Sequence, residues 1–143
     1  MKVKIKRVDT SLPLPKYETA GAVCFDVYVR ETAVVPAGGF NTIPANLIIE
    51  TPPGYALILA ARSSTAHKKG MTMRNAIGIF DQDFCGPEDE MRIMLQNLTD
   101  QDITVERGER VGQAMFVKIE TAEWEEVEEM TNETRGGLGS TGL

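Results

Sequence analysis

Cysteine, histidine and aromatic residues are scarce in this sequence of 143 residues, and no long apolar run interrupts it. The two cysteines, Cys24 and Cys85, lie far apart without the spacing of a metal site, which favours reduced thiols in a cytoplasmic protein over a disulfide framework. A membrane-spanning helix needs about 18 consecutive apolar residues, and none is predicted here. The N-terminus, MKVKIKRVDT, alternates charged and apolar residues and does not resemble a signal peptide.

Basic residues are also few. Acidic residues outnumber basic ones by 21 to 15, which gives a net charge of −6 and argues against a nucleic-acid partner. Binding of a small polyanionic ligand would require local positive charge or hydrogen-bond donors. A divalent cation, converging Arg or Lys side chains, or glycine-rich backbone could supply them. The length fits one ordinary domain with a core of its own.

Short extended segments separated by turn residues make up most of the chain, with little helical periodicity. Many short strands at this spacing predict an all-β barrel or jelly roll. One helix is predicted over Ser63–Lys69, with Ser63 as its N-cap and Gly70 as its stop signal. Strands are predicted over residues 3–7, 23–29, 47–50, 55–60, 76–80, 91–96, 103–105, 111–119 and 123–128.

The composition changes sharply after Met130, where the last residues read TNETRGGLGSTGL. This stretch has almost nothing to join a core, so composition alone favours a disordered tail. The same residues also suit the wrapping of phosphates, because glycine permits close backbone approach while Arg135 and the hydroxyl side chains supply donors. The expected organisation is a β-barrel domain over residues 1–130 and a flexible arm over residues 131–143.

Five segments, in order along the chain, carry a resemblance to a known family. They are LPLPKYETAGAVCFDV, which contains Asp26; Ala61-Arg62-Ser63-Ser64; NAIGIFDQDF; ERGERVGQ, which ends in Gln113; and RGGLGSTG in the tail. Each string alone is weak, but together and in this order they resemble the trimeric dUTPase family over nearly the whole chain. The resemblance implies a distorted jelly-roll barrel with one short helix and a glycine-rich C-terminal arm that closes over the active site.

The activity that the resemblance implies is Mg²⁺-dependent hydrolysis of dUTP to dUMP and pyrophosphate, in a role of nucleotide-pool sanitation. Such a reaction needs an activated water, neutralised phosphate charge and in-line geometry. Asp81 matches the family's general base, although alone it would be taken for a turn aspartate. Asp26 and Gln113 are expected to hold magnesium-bound waters and phosphates; a satisfied buried carboxylate is the alternative for Asp26.

Substrate contacts are implied in the same way. Asn75 matches the asparagine whose hairpin reads the Watson–Crick edge of uracil, and its alternative is an ordinary turn residue. Arg62 and Ser63 match a clamp on the phosphate chain, and their alternative is a capped helix beside a solvated arginine. The implied substrate-binding set is Arg62, Ser63, Ser64, Asn75, Gly78, Phe84, Gln113, Arg135, Leu138, Gly139 and Ser140.

The sequence departs from the family pattern at several points. Phe84 stands where a tyrosine usually packs beneath deoxyribose, and its ring should still select the sugar. Leu138 replaces an aromatic ring that would stack on uracil, so weaker substrate binding is expected. The tail after Arg135 is shorter than usual, which reduces the reach of Arg135 towards the γ-phosphate. The stretch over residues 86–90 is longer than usual and is expected to enlarge a surface loop.

Three other functions are alternatives to this one. A dCTP deaminase shares the fold, but His67 and Met94 occupy the positions of its helix arginine and catalytic glutamate. A non-catalytic, dUTPase-like regulatory protein is suggested by Leu138 and the altered tail. A hydrolase with Ser63 as nucleophile and His67 as base is possible in principle, although the sequence lacks an oxyanion-loop signature.

The family resemblance also implies a homotrimer. Each active site would take its first, second and fourth motifs from one chain, the uracil hairpin from a second and the tail from a third.

Overall fold

A computed structural model describes residues 1–137 of the chain. In that part of the chain, eleven short strands and one helix form a jelly-roll-like β-barrel, which confirms the expected fold class. The elements are β1 (Ile5–Arg7), β2 (Phe25–Val27), β3 (Ala33–Val35), β4 (Phe40–Pro44), β5 (Leu47–Ile49), β6 (Tyr55–Ala61), α1 (Ser63–Lys69), β7 (Met71–Met73), β8 (Gly78–Phe80), β9 (Arg92–Asn97), β10 (Ile103–Val105) and β11 (Gly112–Lys118).

The strands form two larger sheets and two ribbons, with antiparallel pairing throughout. One sheet has the order β2-β11-β6-β8 and the other the order β4-β9-β7, while β1 pairs with β5 and β3 with β10. Side chains from both larger sheets meet in one apolar core, which includes Leu57 and Leu59 from β6 and Ile93 and Leu95 from β9. The core therefore fixes the position of one sheet against the other.

Glycine at position 112 is needed for the close packing at the start of β11. A Cβ atom there would lie 3.1 Å from Ile93 Cδ1, 3.1 Å from Val27 Cγ2 and 3.2 Å from Leu59 Cδ1. Such contacts are tighter than ordinary van der Waals packing, so a side chain would require these three neighbours to shift by a few tenths of an ångström. Because Gln113 follows directly, this packing also sets the position of a predicted site residue.

The helix has the predicted bounds, but its N-cap differs from the prediction. Arg62, not Ser63, occupies the cap position with extended backbone and no side-chain cap hydrogen bond. The helix ends as expected at Gly70, whose φ of 64° is left-handed and whose N–H donates to Ala66 O. Within residues 1–137 this seven-residue helix is too short and too polar to cross a bilayer.

One predicted strand is wrong. Residues 123–128 belong to no strand, and Trp124 is 90% exposed. A strand needs a hydrogen-bonded neighbour, and the run of glutamates here finds none among the described residues. Three real strands, β3, β4 and β7, were not predicted, because β3 and β4 end at or next to a proline and β7 directly follows the end of the helix.

The segment over residues 86–90 is only partly the exposed loop that its extra length predicted. Pro87 and Glu88 are exposed, but Glu90 is drawn inwards by Arg30, whose Nε and Nη2 donate to it at 2.8 and 3.0 Å. This bidentate pair raises the pKa of Arg30. Glu90 also accepts the N–H of Asn46 at 2.8 Å, so the end of the loop is tied to the barrel.

Candidate active site

A buried carboxylate between two arginines is the most organised polar cluster at the predicted site. Asp26 lies on β2 between Phe25 and Val27, whose side chains join the core, so strand alternation turns Asp26 to the other face. Its Oδ1 atom is 2.9 Å from Arg62 Nε and its Oδ2 atom is 3.1 Å from Arg110 Nη1. Two guanidinium groups therefore neutralise a carboxylate whose side chain is only 10% exposed.

The backbone also holds the two arginines together. Arg62 follows the last residue of β6, and its N–H donates to Val111 O at 3.2 Å. Its Nη1 donates to Arg110 O at 3.1 Å. Thr65, in the first turn of the helix, is buried and donates its hydroxyl to Val111 O at 2.7 Å. The start of the helix is thus fixed against the chain that leads into β11.

Gln113 lies at the centre of this arrangement. In the sheet register it is opposite Asp26 on β2 and Ala60 on β6. Its side-chain Nε2 donates to Ala61 O at 3.2 Å, one residue before Arg62. The first, second and fourth motifs of the sequence therefore meet in one chain, as the resemblance implied.

A shallow cavity of about 190 Å³ adjoins the cluster, and four of its lining side chains are cationic. Lys69 is paired with Glu109 at 2.6 Å, and Arg110 reaches Glu18 at 2.8 Å as well as Asp26. Ser63 is exposed at the first helical position. Three of these four cations already pair with carboxylates, so a phosphate chain would bind here by sharing or replacing those partners. The cavity is lined by Arg62, Ser64, Thr65, Lys68, Lys69, Arg110 and Val111.

Arg110 is a member of this cluster that the sequence did not single out. It lies within the motif ERGERVGQ, from which only Gln113 had been selected. The available signal was an arginine immediately before a predicted strand that has a predicted phosphate contact, Gln113, near its start. Its contact with Asp26 makes it a second guanidinium at the site.

The predicted base-reading residues lie along a different part of the fold. Asn75 is exposed in the turn between β7 and β8, where Ala76 has a φ of 61° and the Ile77 N–H donates to Asn75 O at 2.7 Å. β7 pairs with β9 and β8 with β6, so this connection passes from one sheet to the other. It is a turn between sheets, not the self-paired hairpin expected.

Asp81 directly follows β8 and is exposed beside an open cavity lined in part by Tyr55, Ala56 and Phe80. The Phe84 N–H is 3.3 Å from Asp81 O, and the Phe84 ring lies 5.9 Å from the Phe80 ring, centroid to centroid. The carboxylate is accessible to water, with an aromatic ring nearby.

Within one chain, Asp81 and Arg62 lie at opposite ends of β6. The register pairs Phe80 with Leu57, which places Asp81 near Ala56, whereas Arg62 follows Ala61. Six residues of extended chain span about 20 Å. A single chain therefore does not bring the phosphate cluster and Asp81 to the same phosphate group.

The predicted tail contacts are only partly described. Arg135 is exposed, whereas Leu138, Gly139 and Ser140 lie outside the described residues. No group of three His, Cys, Asp or Glu side chains that could hold a metal ion is found in residues 1–137.

Comparisons with known proteins identify the family of this chain. A family model described as dUTPase matches residues 10–142. The chain is 36% identical to the deoxyuridine 5'-triphosphate nucleotidohydrolase of Dictyoglomus turgidum, with 100% of this chain and 99% of the relative covered. The corresponding protein of Anaplasma marginale is 37% identical, with 99% of each covered.

Solved structures show the same fold. The dUTPase from Streptococcus mutans superposes with a TM-score of 0.77 at 31% identity, covering 84% of this chain and 98% of that one. The Staphylococcus bacteriophage 80alpha dUTPase with dUpNHpp has a TM-score of 0.86 at 20% identity and 99% coverage of both chains. A phage phi11 dUTPase variant, described with a structural Mg(II) ion, has a TM-score of 0.79 at 19% identity, covering 90% of this chain and 98% of that one.

The matched family model spans nearly all of the sequence, and the Asp26 cluster unites three of the five motifs. The chain belongs to the dUTPase family and is a dUTP diphosphatase.

Proposed function

We propose that this enzyme hydrolyses dUTP to dUMP and pyrophosphate by attack of an Asp81-activated water at the α-phosphorus. The observation that carries the proposal is the pair of arginines fixed around buried Asp26, which forms a ready-made site for the phosphate chain. Asp81 is exposed at the end of a strand, where its carboxylate can accept a proton from water as the P–O bond forms. The bond to the leaving pyrophosphate breaks as the new bond forms.

Arg62 and Arg110 would neutralise charge on the phosphates, because planar guanidinium groups bind phosphate oxygens in pairs of hydrogen bonds. Gln113 would orient the same chain through its side-chain amide. Since Asp26 and the Arg110 carbonyl group hold Arg62, its guanidinium is already in place before substrate binds, whereas Arg110 would have to turn from its carboxylate partners to the phosphates.

The residues of this cluster could bind Mg²⁺ only indirectly, through metal-bound waters and substrate phosphates. Asp26 Oδ2 is buried and forms no hydrogen bond of good geometry, which leaves one acceptor position for a metal-bound water, reached if the Arg110 side chain moves aside. Mg²⁺ commonly keeps several waters and binds through phosphate oxygens, so a cage of carboxylates is not required. When bound, the ion would withdraw charge from the phosphates; Asp26 and Gln113 would hold its waters.

Uracil would be read by the turn that carries Asn75. Gly78 supports this role, because a Cβ atom there would lie 3.3 Å from the Phe80 ring and 3.4 Å from Leu59, which shows how closely the backbone is packed. Phe84 would pack beneath deoxyribose. Its partly exposed ring is held beside Phe80, where a flat apolar surface can disfavour a 2′-hydroxyl.

A homotrimer with shared active sites is part of the proposal. The separation of Asp81 from Arg62 along β6 supports it, since one chain alone cannot complete the site. The outer face of the β2-β11-β6-β8 sheet also presents apolar side chains, with Ile79 64% exposed next to Ile58 and Met115. A second copy would bury that face, and residues 131–143 would reach a third chain as the arm. Removal of dUTP from the cytoplasmic nucleotide pool would be its biological role.

Pyrophosphate release measured for dUTP, UTP, dCTP and dTTP, with and without Mg²⁺, tests the proposal. We expect rapid turnover of dUTP alone, loss of turnover on chelation, and a decrease in kcat of at least about 100-fold for Asp81→Asn. Asp83→Asn, two residues away, is the matched control and should retain activity. Near-normal turnover by Asp81→Asn would exclude Asp81 as the base, and ammonia released from dCTP would favour the deaminase.

A further inference from the structure

Arg74, which precedes Asn75, lies on the outer face of the second large sheet. Thr72 and Arg74 alternate along the chain with Met71 and Met73, whose side chains are buried. The register places Phe40, Gln96 and Thr72 side by side across β4, β9 and β7. Arg74 is therefore the last residue of this face before the chain leaves for the other sheet.

Three contacts fix Arg74 to that face. Its guanidinium carbon lies 4.0 Å from the centre of the Phe40 ring. Its Nη1 donates to Gln96 Oε1 at 2.6 Å, and its backbone N–H donates to Met94 O at 2.9 Å. Gln96 is itself held, because its Nε2 donates to Gly38 O at 2.9 Å. A cation over an aromatic face and a charge-assisted hydrogen bond both favour one side-chain position.

The turn that follows is held within itself only by two backbone hydrogen bonds, from Ala76 N–H to Met73 O at 3.2 Å and from Ile77 N–H to Asn75 O at 2.7 Å. Asn75, Ala76 and Ile77 are all exposed, and Ala76 adopts a left-handed φ of 61° without being glycine. Such a conformation persists only where the surroundings determine it. Arg74 on one side and β8 on the other are the points at which the fold restrains this turn.

We propose that Arg74 is a positioning residue for base recognition, which holds the turn of Asn75 against the barrel through Phe40 and Gln96. The inference rests on the proposed role of Asn75 in reading uracil. Arg74 itself does not contact the substrate in this proposal. The consequence is that loss of Arg74 weakens binding of the nucleoside part of the substrate and leaves binding of the phosphates unchanged.

Inhibition constants for dUMP and for inorganic pyrophosphate distinguish binding of the nucleoside part of the substrate from binding of its phosphates. For Arg74→Ala we expect the KM for dUTP and the Ki for dUMP to rise about 5- to 10-fold, a size that fits a cation–π contact plus one charged hydrogen bond. The Ki for pyrophosphate and kcat should change less than about twofold. Arg74→Lys keeps a cation over Phe40 and should recover part of the dUMP affinity.

Three further variants complete the test. Asn75→Ala is the reference, and the double variant with Arg74→Ala should be no weaker for dUMP than Asn75→Ala alone, because both changes act through one turn. Arg92→Ala removes a different exposed arginine, which lies on β9, and should leave the Ki values for dUMP and pyrophosphate unchanged. Thermal unfolding of each variant checks that the barrel is intact.

The possible failures are distinguishable. If Asn75→Ala weakens dUMP but Arg74→Ala does not, the positioning role is wrong and the proposed function stands. If Arg74→Ala weakens pyrophosphate as much as dUMP, or lowers kcat alone, Arg74 does not act through the base-reading turn. If Asn75→Ala leaves dUMP binding unchanged, the proposed role of Asn75 fails and this inference fails with it.

Discussion

At the scale of single residues, Arg110 is shared between two carboxylates. Its Nη1 lies 2.8 Å from Glu18 Oε1 and 3.1 Å from Asp26 Oδ2. Glu18 also lies 3.3 Å from Lys16 Nζ, so it keeps a partner if Arg110 turns to a phosphate. Glu18 and a phosphate group would compete for the same guanidinium.

Replacing Glu18 by Gln should therefore tighten phosphate binding. Exposed ion pairs are worth up to about 1 kcal/mol, so we expect the Ki for pyrophosphate to fall about two- to fivefold for Glu18→Gln. Inhibition kinetics with dUTP as substrate measure the change. Glu50→Gln, which breaks an exposed pair with Lys4 elsewhere, is the control. Unchanged or weaker inhibition in Glu18→Gln would show that Glu18 does not restrain Arg110.

The motifs selected most residues of the cluster around Asp26, but not their contacts. Asp26, Arg62 and Gln113 do meet, because three neighbouring strands and the start of the helix bring them together. That Asp26 is bound by two arginines could not be predicted, since it depends on where the loop before β11 places Arg110. Local sequence carries no information on such long-range contacts.

At the scale of elements, the end of the helix depends on Gly70. Its φ is 64°, and a Cβ atom at this position would lie 2.5 Å from Thr99 Cγ2. The residue also accepts a backbone hydrogen bond from Leu98 N–H at 2.9 Å, which joins the helix end to the end of β9. Both the left-handed conformation and the contact disfavour a side chain.

Gly70→Ala should destabilise the fold by about 1 kcal/mol or more, because alanine is strained at positive φ and must also displace Thr99. Urea unfolding followed by circular dichroism measures the free energy of unfolding. Gly21→Ala is the matched control, since nothing lies within 4 Å of a Cβ atom there and its φ is not left-handed. Equal stability of the two variants would contradict the assigned role of Gly70.

Element prediction succeeded where a local signal existed. The strand at Ile103–Val105 and the helix at Ser63–Lys69 have the predicted bounds, because turn residues or a glycine stop flank them. The predicted strand over residues 123–128 failed because a short segment with a few apolar side chains does not by itself supply a pairing partner. β7 was missed because only its pairing with β9 makes Met71–Met73 a strand.

At the scale of the whole molecule, the sheet register separates two groups that the proposed reaction needs together. Arg62 follows one end of β6, and Asp81 lies near the other end, about 20 Å away along the strand. A general base must lie within hydrogen-bonding reach of the attacking water. The barrel of one chain is thus expected to supply half a site, and an identical neighbour the other half.

Mixing two inactive variants tests this arrangement directly. Arg62→Ala and Asp81→Asn should each be nearly inactive alone, since each removes a required group from every site. After co-refolding at equal amounts, a site composed of Arg62 from one chain and Asp81 from another is intact in about a quarter of cases, by random assembly of a cyclic oligomer. Recovery of about a quarter of the wild-type pyrophosphate release is therefore expected, and separately refolded, unexchanged variants serve as the control.

If each chain held a complete site, every site in the mixture would carry a lesion. Absence of recovery, with mixed oligomers demonstrated by differently tagged chains, would then contradict the shared site.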